Sequence, residues 1–266
     1  MDANRLYIAT IDANAAALAR DLGLGLELDE FCMASNMDGK AFAHWDAVAR
    51  AHLACTHRHI LHLPFAELYP AAIDPLARAL AMSRLRQAAS LAFGYGIRRL
   101  VAHAGYLPHV YDPVWFIARS ADFWREFLSD MPDACTILLE NVLEDDPSLI
   151  AEVLARVDDP RLRACLDVGH AYVYSSLSPD AWMAALAPWL CHAHLSNNHG
   201  DRDAHGELDE GGMDMEAVIA RLLQTAPDIT LTLEMQHAAP SAAKLLSCPS
   251  APLPSPSQMG KKNGIT

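Results

Sequence analysis

Short apolar segments alternate with longer amphipathic segments along nearly all of the 266-residue chain. The short segments are rich in Leu, Ile, Val and Thr and are bounded by turn-forming residues, which is typical of β-strands. Longer segments such as DPLARALAMSRLRQAASLAFGYG and MDMEAVIARLLQTA carry apolar residues at i, i+3, i+4 and i+7, which predicts helices. The predicted strands are residues 6–11, 24–31, 59–65, 98–105, 135–141, 162–170, 190–196 and 229–235.

A strand followed by a helix, repeated eight times, predicts a parallel sheet. At this chain length, eight such units favour an α/β fold in which the sheet closes into a (β/α)8 barrel, the TIM barrel. An open, doubly wound sheet is the alternative, but no Gly-rich phosphate loop follows the first strand. No interdomain linker or internal repeat interrupts residues 1–237, so we expect them to form one domain.

The C-terminal segment departs from this pattern. Residues 238–266 offer a short helical stretch and then a Pro/Ser-rich stretch, which predicts a disordered tail. A complete barrel has a full amphipathic helix here, so we expect the eighth helix to be incomplete or missing. Two explanations stay open: another subunit covers the seam, which implies a homo-oligomer, or the native C-terminal segment is absent from this sequence.

Composition limits the compartment and the partners. The formal net charge is -13 and only four residues are lysines, so the surface repels a phosphate backbone and we do not expect nucleic acid as a partner. No apolar stretch reaches the ~18 residues of a membrane span, and the N-terminus lacks the layout of a signal peptide. The six cysteines stand singly, without a C-x-x-C pair, which indicates a reducing, cytoplasmic location.

The ends of the predicted strands carry charged or metal-binding side chains. In ILHLPF, LVAHAG, ILLEN, CLDVGH, HAHLSNN and LTLEM, an apolar run ends in His, Glu or Asp. A buried charge is costly there unless it is paired or bound to a metal. In a (β/α)8 barrel these strand ends meet on the face that carries active sites. The sequence therefore predicts one shared site, with candidates at His62, His103, Glu140, Asp167, His170, His194 and Glu234.

The segment HAHLSNNHGDRDAH adds further candidates. His192 and His194 lie on the same side of their strand, and His194 is nearer its carboxyl end, so we expect His194 to be the ligand. Asp203 and His205 follow in the same loop. Imidazole and carboxylate together suit Zn²⁺, Mn²⁺, Fe²⁺ or Co²⁺, and the lack of thiolates argues against a structural zinc site. Taken singly, Glu140 and Glu234 could be paired with an arginine, and Asp167 could cap the following helix. His62 and His103, taken singly, are more often core or rim histidines. Asp203 and His205 could be a solvated loop pair.

In their order and spacing, the motifs HLPF, HAGY, LLENV, CLDVGHA, HAHLSNNHGDRDAH and LEM resemble the xylose isomerase-like TIM-barrel superfamily, from the first strand through Glu234. That superfamily includes sugar and sugar-phosphate isomerases and epimerases, and also endonuclease IV. For the isomerase and epimerase branch, the resemblance implies one divalent metal held by Glu140, Asp167, His194 and Glu234. It also implies that Glu140 and Glu234 remove and return a proton, and that His170 contacts substrate oxygens.

The endonuclease IV branch implies a larger centre, in which three zinc ions cleave a phosphodiester in DNA. Every position of its ligand pattern is filled here, by His62, His103, Glu140, Asp167, His170, His194, Asp203, His205 and Glu234. The sequence therefore leaves undecided whether one, two or three ions bind and whether they are zinc or manganese. We favour an isomerase or epimerase of a carbohydrate, because the net charge is -13 and loops such as LPFAELYPAAIDP carry no cationic residue, whereas DNA binding normally requires several Lys or Arg that neutralise phosphates. A phosphodiesterase is the alternative, and a non-catalytic metal-bound binding protein is a third hypothesis.

Four residues are candidates for contact with a carbohydrate substrate. Trp115, like Trp124, lies after the fourth strand and offers an aromatic surface, and Glu27 lies within the second strand. Arg202 lies in the loop with Asp203, where it would bind a substrate phosphate. The alternatives are helix packing for the tryptophans and a solvated loop position for Arg202.

Overall fold

Eight parallel strands pair in sequence order and close into a barrel, which confirms the predicted TIM-barrel fold. The structure is a computed structural model that describes residues 1–247. Strands β1 and β8 close the barrel, with Tyr7 paired to Thr232 in parallel register, so the open sheet is excluded. The strands are β1 Leu6–Ala9, β2 Gly25–Leu28, β3 His59–His62, β4 Arg99–His103, β5 Thr136–Glu140, β6 Leu162–Asp167, β7 Leu190–Leu195 and β8 Thr230–Leu233.

Helices follow the strands and cover the outside of the barrel. The two longest of the described helices begin at an Asp-Pro pair, where Asp74 accepts a hydrogen bond from the Leu76 amide and Asp112 accepts one from the Trp115 amide. Proline fits the first helical position because an N–H there has no intrahelical partner. The helices are α1 Ala15–Leu22, α2 Gly39–Leu53, α3 Pro75–Gly94, α4 Pro113–Ser129, α5 Ser148–Val157, α6 Val168–Tyr174, α7 Pro179–Leu186, α8 Met215–Thr225 and α9 Ala239–Ser247. Within residues 1–247, none of them combines the length and the apolar character that crossing a membrane requires.

The last helix, α9, is short but present. Ala242 and Leu245 on its inner face are buried against the barrel. The Ser241 hydroxyl accepts a hydrogen bond from the Leu208 amide at 3.1 Å, and the N-terminal amine of Met1 donates to the Leu245 carbonyl at 2.9 Å. The barrel packing therefore extends past residue 237, and the part of the predicted disordered tail from residue 248 onward lies outside the described residues.

The barrel interior has an apolar floor beneath a polar upper layer. The floor is a cluster formed by Tyr7, Ile60, Val101, Leu138 and Cys165. Side chains two residues apart lie on the same face of a strand. Four of these floor residues, on β3 to β6, are therefore followed two positions later by an inward side chain that can bind a metal, and these are His62, His103, Glu140 and Asp167.

The outer core, between strands and helices, contains one of the two tryptophans considered as substrate contacts. Trp124 is 0% exposed, and its ring lies edge-on to Phe123 and Phe127 at centroid distances of 5.3 and 5.6 Å. Edge-to-face packing of this kind is typical of a tryptophan in a protein core. Trp124 thus packs within the helix layer, which is the alternative to a substrate contact that the sequence left open.

Gly25 has no room for a side chain, because a Cβ there would lie 2.3 Å from the Tyr7 ring. That ring is packed in the barrel floor, so it cannot move away at low cost. We expect Gly25→Ala to lower the free energy of unfolding by about 1–3 kcal/mol, as overpacking of a core does, measured by urea denaturation. Gly94→Ala is the matched control, since a Cβ there meets nothing within 4 Å. Equal destabilisation by the two substitutions would contradict the steric explanation.

Candidate metal centre

The register of the barrel brings the predicted ligands together at the carboxyl ends of the strands. His103 lies opposite Glu140 across β4 and β5, and Asp167 lies opposite His194 across β6 and β7. Glu234 directly follows β8. Because the sheet is closed, these side chains point toward one axis rather than along an open edge.

The central group consists of Glu140, Asp167, His194 and Glu234, whose ligand atoms all lie within 4.8 Å of one another. His194 Nδ1 lies 2.8 Å from Glu234 Oε2, 3.3 Å from Glu140 Oε1 and 3.8 Å from Asp167 Oδ2. Three carboxylates thus surround one imidazole nitrogen. This is the set that the resemblance implies for a single divalent metal.

Two further groups flank the central one. His62 Nε2 and His103 Nε2 lie 3.3 and 3.5 Å from Glu140 Oε2, so Glu140 is shared between this group and the central one. On the other side, Asp203 Oδ2 lies 3.2 Å from His170 Nε2 and 2.9 Å from His205 Nε2. All nine residues predicted as metal ligands therefore fall into three adjoining groups.

The polar atoms left without partners show that these residues fit a divalent metal. Among the described residues, Glu140 Oε1, Asp167 Oδ2, Asp203 Oδ1 and Glu234 Oε2 are buried without a hydrogen-bond partner. A buried carboxylate oxygen without a partner is costly, so such atoms call for a ligand. Carboxylate oxygens combined with imidazole nitrogens suit Zn²⁺ or Mn²⁺.

Backbone carbonyls orient three of the histidines. The Nδ1–H groups of His62, His170 and His205 donate to the carbonyls of Leu63, Asn141 and Glu234, at 2.9, 2.9 and 3.0 Å respectively. Each hydrogen bond fixes the ring and leaves Nε2 facing the carboxylates. Support of this kind for the second nitrogen is usual for histidines that bind metals.

Asparagine side chains that the sequence reasoning did not assign hold other parts of the site. Asn141, in the LLEN motif, exchanges two hydrogen bonds of 2.9 Å with the backbone of Asp167. Asp167 also caps α6 by accepting from the His170 amide through Oδ1 at 2.7 Å, which leaves Oδ2 for the centre. The asparagine directly after Glu140 was the available signal, but its partner, Asp167, is 26 residues away in the chain.

The loop after β7 is folded by Asn197, which positions Asp203 and His205. Its backbone pairs with Gly206 through hydrogen bonds of 3.0 and 2.9 Å, and its side-chain amide donates to the Leu208 carbonyl at 2.8 Å. A Cβ at Gly211 would lie 2.2 Å from the Asn197 side-chain oxygen, so the loop closes tightly around this asparagine. The asparagines of HAHLSNNHGDRDAH therefore fold the loop, while His194, Asp203 and His205 face the centre.

Burial and ion pairing set the charges of the ligands. Burial alone would lower the pKa of His62, but the Glu140 carboxylate raises it to about 9. A hydrogen bond to Asp203 likewise raises the pKa of His205 to about 9. Burial lowers the pKa of His103 to about 3 and raises the pKa of Asp167 to about 7. At neutral pH, His62 and His205 therefore carry a proton that a metal would have to displace.

The other three candidate substrate contacts lie in different environments. Glu27 is 1% exposed and lies beneath the central group, with Oε1 at 3.0 Å from His194 Nε2, so its contacts are with protein. Trp115 is partly exposed on α4, where its ring packs against Tyr111. Arg202 is exposed in the loop after β7. None of the ion pairs and ring contacts of residues 1–247 joins Trp115 or Arg202 to a metal-ligand candidate.

The stability of the metal-free protein should fall as the pH rises. The folded-state pKa values of His62 and His205 are about 9, above the ~6.5 of an unfolded histidine. The stability they add is therefore complete below pH ~6.5 and is lost as the pH rises through about 9. We expect the melting temperature in excess chelator to decrease over this range. A melting temperature that rises with pH in chelator would contradict this assignment of protons.

The sequence matches the family model described as Xylose isomerase-like TIM barrel over residues 17–248. A curated relative, the uncharacterized protein MJ1311 of Methanocaldococcus jannaschii, is 25% identical over 192 residues. The aligned region covers 67% of this chain and 64% of MJ1311, which is less than two thirds of that relative's length.

Two solved structures share the fold over nearly the whole chain. A D-tagatose 3-epimerase-like protein aligns with a TM-score of 0.73 and 19% identity, covering 91% of this chain and 95% of its own. The TTHB071 protein from Thermus thermophilus, soaked with ZnCl2, aligns with a TM-score of 0.71 and 27% identity, covering 92% and 97%. With its closed barrel and a family match over most of its length, the chain belongs to the xylose isomerase-like TIM-barrel family.

Proposed function

We propose that the protein is a divalent-metal-dependent isomerase or epimerase of a sugar or sugar phosphate. The observation that carries the proposal is the placement of Glu140 and Glu234 around one metal-sized position. The two glutamates come from β5 and β8, which are not adjacent in the barrel, so their carboxylates approach from different directions. Two carboxylates arranged in this way suit proton removal and proton return at a substrate carbon.

The chain supplies the bases and holds the substrate, and a bound divalent metal would polarise the substrate oxygens next to the reacting carbon. One glutamate removes a proton from that carbon and the other returns a proton to it or to its neighbour. Burial alone would raise the pKa values of Glu140 and Glu234, but the facing His194 lowers both, so the carboxylates are ionised and can act as bases. We further propose that His170, whose Nε2 lies 3.2 Å from Asp203 Oδ2, contacts a substrate oxygen.

The electrostatic character of the chain supports a small polar substrate. The net charge of -13 disfavours a polyanionic nucleic acid. The likeness to a D-tagatose 3-epimerase-like protein is in accord with a carbohydrate, although at 19% identity it concerns the fold alone. The substrate is therefore proposed as a class, an open-chain sugar with or without a phosphate.

A second candidate function, phosphodiester hydrolysis, is favoured by one specific observation. The two flanking groups, with His62 and His103 on one side and Asp203 and His205 on the other, complete the ligand set of a three-metal centre. Several metal ions around one site can stabilise both the attacking and the leaving oxygen of a phosphoryl transfer. This candidate requires the flanking groups to bind metal and to take part in turnover.

Replacing either glutamate should abolish isomerase or epimerase turnover. Loss of a positioned base lowers turnover by about 10²–10⁴-fold, so we expect Glu140→Gln and Glu234→Gln to show this loss on a panel of ketoses and their phosphates. The measurement is solvent deuterium incorporation at the reacting carbon together with product formation. Glu30→Gln is the matched control, because Glu30 is also buried but is paired with His52 instead of a metal-ligand candidate. Full turnover by Glu234→Gln would contradict the two-base proposal.

Metal content separates the two candidate functions. For an isomerase or epimerase we expect about one tightly bound ion per chain, by mass spectrometry of protein purified without added metal or chelator. His205→Ala should leave that ion in place, because His205 lies outside the central group. Two to three zinc ions per chain, loss of one of them in His205→Ala and hydrolysis of phosphodiesters would instead establish the second candidate.

A further inference from the structure

His194 differs from the three histidines held by backbone carbonyls, because a buried carboxylate faces its second nitrogen. Glu27 Oε1 lies 3.0 Å from His194 Nε2, while Nδ1 faces Glu140, Asp167 and Glu234. We infer that Glu27 is a positioning residue that fixes the His194 ring and presents Nδ1 to the metal centre. This inference rests on the metal centre of the proposed function, but not on which reaction the centre performs.

Once a metal occupies the central group, the carboxylate of Glu27 favours one orientation of the His194 ring. An ionised carboxylate accepts hydrogen bonds and donates none, so the nitrogen that faces it has to be an N–H. Within residues 1–247, both ring nitrogens of His194 are buried without a hydrogen-bond partner, and Glu27 Oε1 lies 3.0 Å from Nε2. In the metal-bound protein Nε2–H would donate to Glu27, and the lone pair of Nδ1 would be left for the metal. The opposite arrangement would place a lone pair of His194 against Glu27, and an N–H where a ligand atom is needed.

A chain of donors that runs through the barrel interior ends on Glu27. Arg99 Nη2 donates to Thr230 Oγ1 at 2.8 Å, and Thr230 Oγ1 lies 2.7 Å from His192 Nδ1. His192 Nε2 lies 3.0 Å from Thr232 Oγ1, and the Thr232 hydroxyl donates to Glu27 Oε2 at 2.6 Å. When each hydroxyl donates to the next group, every member is satisfied and all donors point toward Glu27.

The burial of Glu27 requires a reason beyond stability. Glu27, His192 and Thr232 are at most 1% exposed. A buried ion pair is often no more stable than apolar residues of the same volume, because removing charges from water is costly. An apolar side chain at position 27 could extend the barrel floor but could not hold His194. Carboxylate support of a histidine ligand fixes the ring and raises its basicity toward a metal.

The first test compares zinc affinity in two glutamine variants by competition with a chelator. We expect Glu27→Gln to raise the zinc dissociation constant by about 10–100-fold, the usual cost of losing such support. The matched control, Glu30→Gln, removes a buried glutamate whose partner is His52, 2.6 Å away, and should leave the zinc affinity unchanged. Equal affinities for the two variants would overturn the inference.

The second test needs no variant and therefore does not depend on how the substitutions fold. In ¹⁵N-labelled protein loaded with ¹¹³Cd²⁺, we expect scalar coupling of cadmium to His194 Nδ1 and a slowly exchanging proton on Nε2. Coupling to Nε2 instead would overturn the role of Glu27 while leaving the metal centre intact. Failure of the unaltered protein to bind zinc or cadmium would overturn both the inference and the proposed function.

Discussion

The pairing of β1 with β8 is the contact on which the geometry of the site depends. It converts eight parallel strands into a ring, so side chains at their carboxyl ends share one axis. Glu140 on β5 and Glu234 after β8 could not approach a common point on an open sheet, because two strands lie between them. The central group therefore depends on the closure of the barrel as well as on which residues end the strands.

Concentrating carboxylates on that axis has an electrostatic cost, which the histidines offset. His62 lies beside Glu140, His205 lies beside Asp203, and His194 lies among three carboxylates of the centre. In water such ion pairs would contribute little to the free energy of folding. In a buried site the attraction between opposite charges is strong, and so is the free-energy penalty for a charge without a partner. The same histidines are metal-ligand candidates, so a metal bound at the proposed centre would displace their protons.

Support for the candidate ligands comes from contacts between residues that are distant in sequence. Hydrogen bonds from Asn141 hold the backbone of Asp167, and those of Asn197 fold the loop that carries Asp203. Glu27 Oε1 lies 3.0 Å from His194 Nε2, the contact from which we infer its positioning role. Such partners fix ligand orientation to within a fraction of an ångström, which a metal site requires. From the sequence, Glu27 was a candidate substrate contact. An acidic residue within a strand looks the same in sequence whether it binds substrate or positions a histidine.

The sequence by itself determined the eight strand–helix units, the barrel they form and the nine ligand candidates, because periodicity and the residues at strand ends are local properties. Only the tertiary structure decided that the candidates divide into three groups, and that α9 packs against the barrel beyond residue 237. It also decided that His194, unlike His62, turns Nδ1 to the centre. These features depend on strand register and on contacts such as Thr232 to Glu27, 205 positions apart, which no local pattern encodes.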